Sequence, residues 1–198
     1  MSTITLPAQF IPRTCQLELE TFQRVNAAPF GGSEQAVDLL NDRWRMVVAL
    51  PGSTRLTVGA WAEAFRGNLR GQVNVVALRH FTRPQPRGTA RGTMTLNASA
   101  SQGASSIVVT GVSPATGTLL AGDMLGVGGL LLMVGADCTA VAGLVTVPLV
   151  NRLRAAQSGG AAVTWDAPTA LFRLVSGGVV AYGPRSVTVD AYEFVEAI

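Results

Sequence analysis

Lysine is absent from this chain of 198 residues, so all 15 basic side chains are arginine. That absence removes one class of function: a phosphate-cradling P-loop needs a lysine on the terminal phosphates. Histidine is nearly absent as well. The single His80 excludes a metal site built on two or more imidazoles and any mechanism that needs a pair of histidines. It lies beside Phe81 at a strand end, which reads as a structural position. Cysteine occurs twice, at Cys15 and Cys138, without C-x-x-C spacing or nearby histidines. Both read as buried thiols in a reducing compartment, and their separation in space is left open. Charged residues are sparse at 14%, and the formal charge of +3 is a weak balance. Nucleic-acid binders concentrate basic residues on one face, whereas these arginines are scattered outside the segment from Arg79 to Arg91.

Long hydrophobic runs are also missing. The most apolar stretch, "AGDMLGVGGLLLMVGAD" (residues 121 to 137), offers thirteen uncharged residues from Met124 to Ala136, four of them glycine. About 20 are needed to span a bilayer, so no membrane partner is expected. A dinucleotide fingerprint fails too, because Gly126 and Gly128 fit G-x-G-x-x-G but the sixth position is Leu131. What remains is a β-hairpin. Gly122 and Asp123 make the entering turn, with Asp123 accepting backbone hydrogen bonds, and Gly128 and Gly129 make a tight corner at positive φ.

What is present is a globular composition, with 48% hydrophobic residues and 22 glycines. The opening "MSTITLPAQF" has neither a basic nor an apolar signal region, so no secretion signal is expected. "TCQLELET" alternates Cys15, Leu17 and Leu19 against Gln16, Glu18 and Glu20, which is a half-buried strand. "APFGGSEQ" reads as turn-rich. "RWRMVVAL" then buries Trp44, Met46, Val48 and Leu50 and exposes Arg43 and Arg45, ending at the Pro51-Gly52 turn. From Thr54 to Arg70 the spacing of Val58, Trp61, Phe65 and Leu69 predicts an amphipathic helix. Gln72 to Leu78 returns to β.

Two prolines in "FTRPQPRGTARG" forbid a helix from Phe81 to Gly92, so Arg79, Arg83, Arg87 and Arg91 read as a solvated linker, with a contact strip for an acidic neighbour as the alternative. Beyond it the residues become small. Short apolar segments at even spacing, "SIVVT", "DMLGV", "LLLMV", "LVTVPL" and "AAVTW", indicate a small β-barrel or roll. "ALFRLVSGGVVAYGP" reads as a hairpin about Gly177-Gly178, and "SVTVDAYEFVEAI" as a closing strand. The texture after residue 167 matches the N-terminal part, which predicts a discontinuous outer domain, 1–84 plus 167–198, with a β domain of residues 85–166 inserted.

Catalytic signatures are weak. There is no G-x-S-x-G elbow, Glu18 and Glu20 share a solvent face and not a cleft, and Asp190, Glu193 and Glu196 read as charged surface. A hydrolase is therefore the least favoured class. Trp44 and Trp61 fall on buried faces, while Trp165 ends a strand of the inserted segment and is the candidate ligand contact for a glycan- or receptor-binding role.

The order of "FGGSEQAVDLLNDRWRMVVALPG", a helix ending in "LRG", "PRGTARGT", "LLAGDMLGVGGLLLMV" and "RLVSGG" resembles the distal tail proteins of bacteriophages and prophages, from about Pro29 to the C-terminus. The resemblance implies a mainly β fold: a tail-tube-like β-sandwich with one flanking helix, forming a ring, and an inserted small β-barrel projecting outward. It also implies a virion structural protein, assembled in the host cytoplasm, without catalytic residues, cofactor or metal. Its partners would be further copies of itself, most often six, with the tail tube protein, tail hub or fibre proteins and the tape measure protein. DNA would only pass through the lumen. Such a ring would cover strand edges, and Arg43 and Arg45 are the candidates to meet Glu18 or Glu20 across the subunit interface.

Overall fold

The structure is a computed structural model that describes residues 1–27, 31–32, 34–39 and 41–197. From the N-terminus the elements are β1 (Thr3–Ile4), β2 (Thr14–Glu20), β3 (Gln23–Ala27), β4 (Glu34–Asp38), β5 (Arg43–Ala49), α1 (Leu56–Leu69) and β6 (Val75–Arg79). The middle of the chain supplies β7 (Met94–Leu96), β8 (Ser106–Thr110), β9 (Thr118–Leu119), β10 (Met124–Val127), β11 (Leu130–Met133), β12 (Cys138–Thr139), β13 (Val145–Pro148) and β14 (Ala162–Thr164). Then follow β15 (Thr169–Ser176), β16 (Val180–Gly183), β17 (Ser186–Val189) and β18 (Tyr192–Glu196). The fold is mainly β, with one helix among the described residues.

Two six-stranded sheets organise these elements. A mixed sheet in the order β1-β6-β15-β18-β5-β2 draws its strands from both ends of the chain. Its parallel pair is β1 with β6. An antiparallel sheet in the order β11-β10-β14-β7-β8-β13 comes wholly from residues 94 to 164 and curls into a half-barrel. Each sheet has its own core. Trp44, Met46, Val48, Phe172, Tyr192 and Phe194 lie under the mixed sheet, and Phe65 and Leu69 of α1 close over them. Leu96, Val109, Leu125, Val147 and Leu153 fill the half-barrel.

The alternation in β2 and β5 explains the first core. Along β5 the even-numbered residues Trp44 to Val48 are buried and the odd-numbered ones half-buried, the period of a strand with one covered face. In α1, Phe65 and Leu69 are buried as the spacing predicts, whereas Val58 and Trp61 are only half-buried and the closest approach is made at Gly59 and Ala62. Small residues win there because neighbours pack tightly on that face: Tyr182 of β16 lies directly over Gly59, and the Tyr192 hydroxyl donates to the Ala62 carbonyl at 3.3 Å.

Three local expectations are corrected. The Gly177-Gly178 segment does not join a hairpin. Both residues have positive φ, at 88° and 69°, and turn the chain out of the sheet, so β15 pairs with β6 and β18 while β16 pairs with β17 in a separate ribbon over α1. The closing strand is broken at Asp190-Ala191, and its second part, β18, runs through the middle of the mixed sheet between β15 and β5. The turn-rich stretch falls partly on residues 28–30 and 33, outside the described residues, and its Glu34 and Gln35 belong to β4. Sequence reasoning assigned nothing to residues 5–13, yet Phe10 is only 4% exposed, with Phe65 and Tyr192 at centroid distances of 5.5 Å.

Candidate functional site: the junction, the charged face and the sheet poles

The hairpin β10–β11 reaches both cores. Its register pairs Met124 with Met133 and Gly126 with Leu131 on one face, and Leu125 with Leu132 and Val127 with Leu130 on the other. Met124, Leu131 and Met133 join the core of the mixed sheet, while Leu125, Val127 and Leu132 join that of the half-barrel. This is why the run lacks alternation: a strand covered on both faces is apolar at every position. Val127 is paired with Leu130, leaving Gly128 and Gly129 as a two-residue turn with φ of 54° and 81°, the left-handed corner the glycines predict. Gly122 also has positive φ, at 87°.

Polar groups fasten this wedge. Trp44 Nε1 and Asn151 Nδ2 both donate to the Leu131 carbonyl, at 2.8 and 2.9 Å. The Met133 N–H donates to Asn151 Oδ1 at 3.0 Å. Glu196, at the end of β18, accepts the Trp44 N–H at 3.1 Å and pairs with Arg154 at 2.5 Å. Glu196 is therefore not the surface acid that the sequence suggests: it is 3% exposed, and burial raises its pKa despite the neighbouring guanidinium of Arg154. Asn151 and Arg154 escaped the sequence reading. Their only signal is "NRLR", a cluster of two arginines in a segment otherwise rich in small residues.

Asp123 behaves as its turn predicts and does more. Its carboxylate, in a residue only 4% exposed, accepts the Leu120 N–H at 2.8 Å. It also accepts the N–H groups of Arg87 and Gly88 at 2.9 and 3.3 Å, which ties the proline-rich connector to the hairpin. The connector arginines are correspondingly engaged. Arg83 donates to the Gly122 carbonyl at 3.2 Å and Arg87 to that of Ala121 at 2.5 Å, while Arg91 donates to the carbonyls of Pro86, Gly88 and Ala90. Arg83 and Arg87 are exposed, as a solvated linker implies, and the extended chain also lays their side chains along the Ala121–Gly122 turn, so the connector is a bonded strap as well. Arg79 alone of the four stays outside this strap, exposed at the end of β6.

Trp165 packs at the margin of the half-barrel core. Its Nε1 donates to the Gly92 carbonyl at 2.8 Å, and the Arg91 guanidinium lies over its ring at 4.9 Å from the centroid. His80 is buried at 6% exposure, with Nδ1 accepting the Arg83 N–H at 3.1 Å. Burial, and then the Arg83 guanidinium, press its pKa below the usual imidazole value. Cys15 on β2 and Cys138 on β12 are free thiols in different sheets, each with its pKa raised by burial.

The outward face of the mixed sheet carries the charges singled out in the sequence. The β2–β5 register sets Glu20 beside Arg43 and Glu18 beside Arg45. Glu20 binds Arg43 at 3.1 Å and Arg45 at 3.5 Å, and Arg45 also binds Glu193 of β18. Ser176 donates to Glu193 at 2.7 Å, and this bond, with Arg45 behind it, lowers the Glu193 pKa. The Glu20 contacts expected between subunits form within one chain, since the antiparallel register already brings opposite charges side by side.

At the opposite end of these strands, residues 6 to 12 cross the sheet. Phe10 points inward and Ile11 outward at 70% exposure. A groove of about 620 Å³ lies on one side of Ile11, lined by Leu50, Pro51, Arg55, Val58 and Trp61, and one of about 500 Å³ on the other, lined by Leu6, Pro12 and Arg79. Among the described residues no group of three or more His, Cys, Asp or Glu side chains is placed to hold a metal ion. The chain matches no protein-family model, and no curated protein is similar to it.

Proposed function

We propose that this chain is a structural protein of a bacteriophage tail, forming a homo-oligomeric ring, of six copies, that joins the tail tube to the baseplate or tail tip. The observation that carries the reading is the mixed sheet, which covers one face with α1 and the β10–β11 wedge and ends in β2, a seven-residue edge strand without proline. A long open edge invites pairing, and symmetric self-association is the economical way to cover it. The motif order that resembles distal tail proteins supplies the assembly context: tail tube on one side, hub or fibre proteins on the other, the tape measure protein and DNA within. A hairpin shared by both cores suits a scaffold, because force on the half-barrel would pass directly into the mixed sheet. Native mass spectrometry over a concentration series, together with images of tails labelled on this protein, tests the reading. The expected result is a closed oligomer in the first and density at the tail tip in the second. A monomer at all concentrations with no label on tails would overturn it.

A further inference from the structure

A trough beside the start of α1 changes character along its length. Its larger part, about 620 Å³, opens between Ile11 and the first two turns of α1, with Leu50, Pro51, Val58 and Trp61 along its walls. Those walls are mainly apolar, and they are held in place. The buried Phe10 meets the Trp61 ring edge-on, with 6.3 Å between centroids, and Leu50 is buried as well. The smaller part, about 460 Å³, shares Gly52, Ser53 and Arg55 with the first and continues to Ser186 and Thr188 of β17. Ser53 fixes this end too, because its N–H donates to the Val187 carbonyl at 3.0 Å while the Val187 N–H donates back at 2.6 Å.

Arg55 stands where the two parts meet, and it is the one ionisable residue among the described lining of both. It is exposed and has no acidic partner among the described residues. Its main-chain N–H is taken by Ser53 Oγ at 3.0 Å, and the first turn of α1 carries no acid to offset the guanidinium. Charge therefore selects the occupant. Apolar walls ending at an uncompensated arginine suit an apolar group followed by a carboxylate and disfavour a cation. Beyond Arg55 the hydroxyls of Ser53, Thr54, Ser186 and Thr188 can hydrogen-bond a main chain that runs on past its acid. A simple amphipathic acid ends at its carboxylate and leaves that part of the trough empty. A polypeptide fills it.

We infer that the trough binds a short extended segment of another protein, with an aliphatic or aromatic side chain against Trp61, Asp or Glu on Arg55, and uncharged polar residues toward Thr188. Because the walls are already in place, little ordering on this side opposes binding. The inference stands apart from the ring, since a monomer with this trough would bind the same segment.

The test uses the full chain and labelled octapeptides, blocked at both ends, in which Leu, Ile, Phe or Met is followed at a spacing of one to three by Asp or Glu and then by Ser. Each has a counterpart with Asn or Gln in place of the acid, and another with Lys. Fluorescence anisotropy should show the best acidic peptide binding about tenfold more tightly than its amide counterpart, and the Lys form not binding. Arg55→Glu should reverse that order. Ile11→Glu should weaken all three, and because both sites are exposed, unchanged thermal melts check that the fold is kept. Trp61 fluorescence should change on binding, and Trp61→Phe should remove that change. No binding by any octapeptide, equal binding of acidic and amide forms, or an unchanged order in Arg55→Glu would each overturn the inference. Decanoate binding as tightly as the best octapeptide would overturn it in favour of a small amphipathic acid. Self-association of wild type that both Ile11→Glu and Arg55→Glu abolish would overturn it in favour of a second copy.

Discussion

Trp44 Nε1 lies 2.8 Å from the carbonyl oxygen of Leu131, a hydrogen bond across 87 residues that joins the central β5 to the hairpin of the other sheet. The same indole is only 1% exposed, and its own N–H on the main chain is held by Glu196. Trp44→Phe keeps most of the packing and removes the donor, while Asn151 still satisfies the Leu131 oxygen. The expected loss is about 1 to 2 kcal/mol, against about 3 to 5 kcal/mol for Trp44→Ala, read from urea melts. Equal losses for the two variants would mean that the hydrogen bond, not the ring, dominates.

The Arg154–Glu196 pair makes a pH-dependent prediction. Arg154→Met leaves Glu196 as a buried carboxylate without its counter-charge, at a cost of about 3 to 5 kcal/mol near neutral pH. The folded pKa of Glu196 is already raised, and losing the guanidinium raises it further. The sign follows: a carboxyl that holds its proton more tightly folded than unfolded favours the fold at low pH, and this benefit fades as pH climbs through the folded pKa. Melts of the variant should therefore lie closer to wild type at pH 5 than at pH 7.5.

His80 shifts stability the other way. Its folded pKa is lowered by burial and by Arg83, so the unfolded chain takes up a proton first, and stability falls as pH drops from about 6.5 through the folded value. His80→Gln should flatten that part of the profile. Chemical denaturation at pH 7.5 and pH 5.5 checks it, and a His80→Gln profile parallel to wild type would count against it.

At the hairpin corner, Gly128 and Gly129 both have positive φ but differ in their surroundings. A β-carbon at 129 meets open space, whereas one at 128 would overlap the Gln157 carboxamide. Gly129→Ala is expected to cost about 1 kcal/mol from backbone strain alone, and Gly128→Val about 2 to 3 kcal/mol because Gln157 must move as well. Thermal melts rank the two, and the reverse order would remove the Gln157 contact from the argument.

Much of the local structure was legible in the sequence because it depends on near neighbours. Alternation marked β2 and β5, the glycine pair marked the β10–β11 turn, and prolines marked an extended connector, each through steric rules that act within a few residues. Breaks in the pattern were legible only in part. Gly177-Gly178 looked like a hairpin turn, and nothing in its own residues showed that the chain leaves the sheet there to lay a ribbon on α1.

Which sheet each strand joins, and which charges are hidden, were decided by tertiary structure. Glu196 and Glu193 lie three residues apart in similar local sequence, yet one is buried against Arg154 and the other stays at the surface with Arg45. Strand alternation assigns them to opposite faces only once the strand's register is known, and that register is set by β5 and β15, far away in the chain. The unbroken apolar run of residues 124 to 134 told of burial on both sides without saying against what. Only the packed chain supplies the second surface, because an apolar side chain is indifferent to which other apolar surface removes it from water.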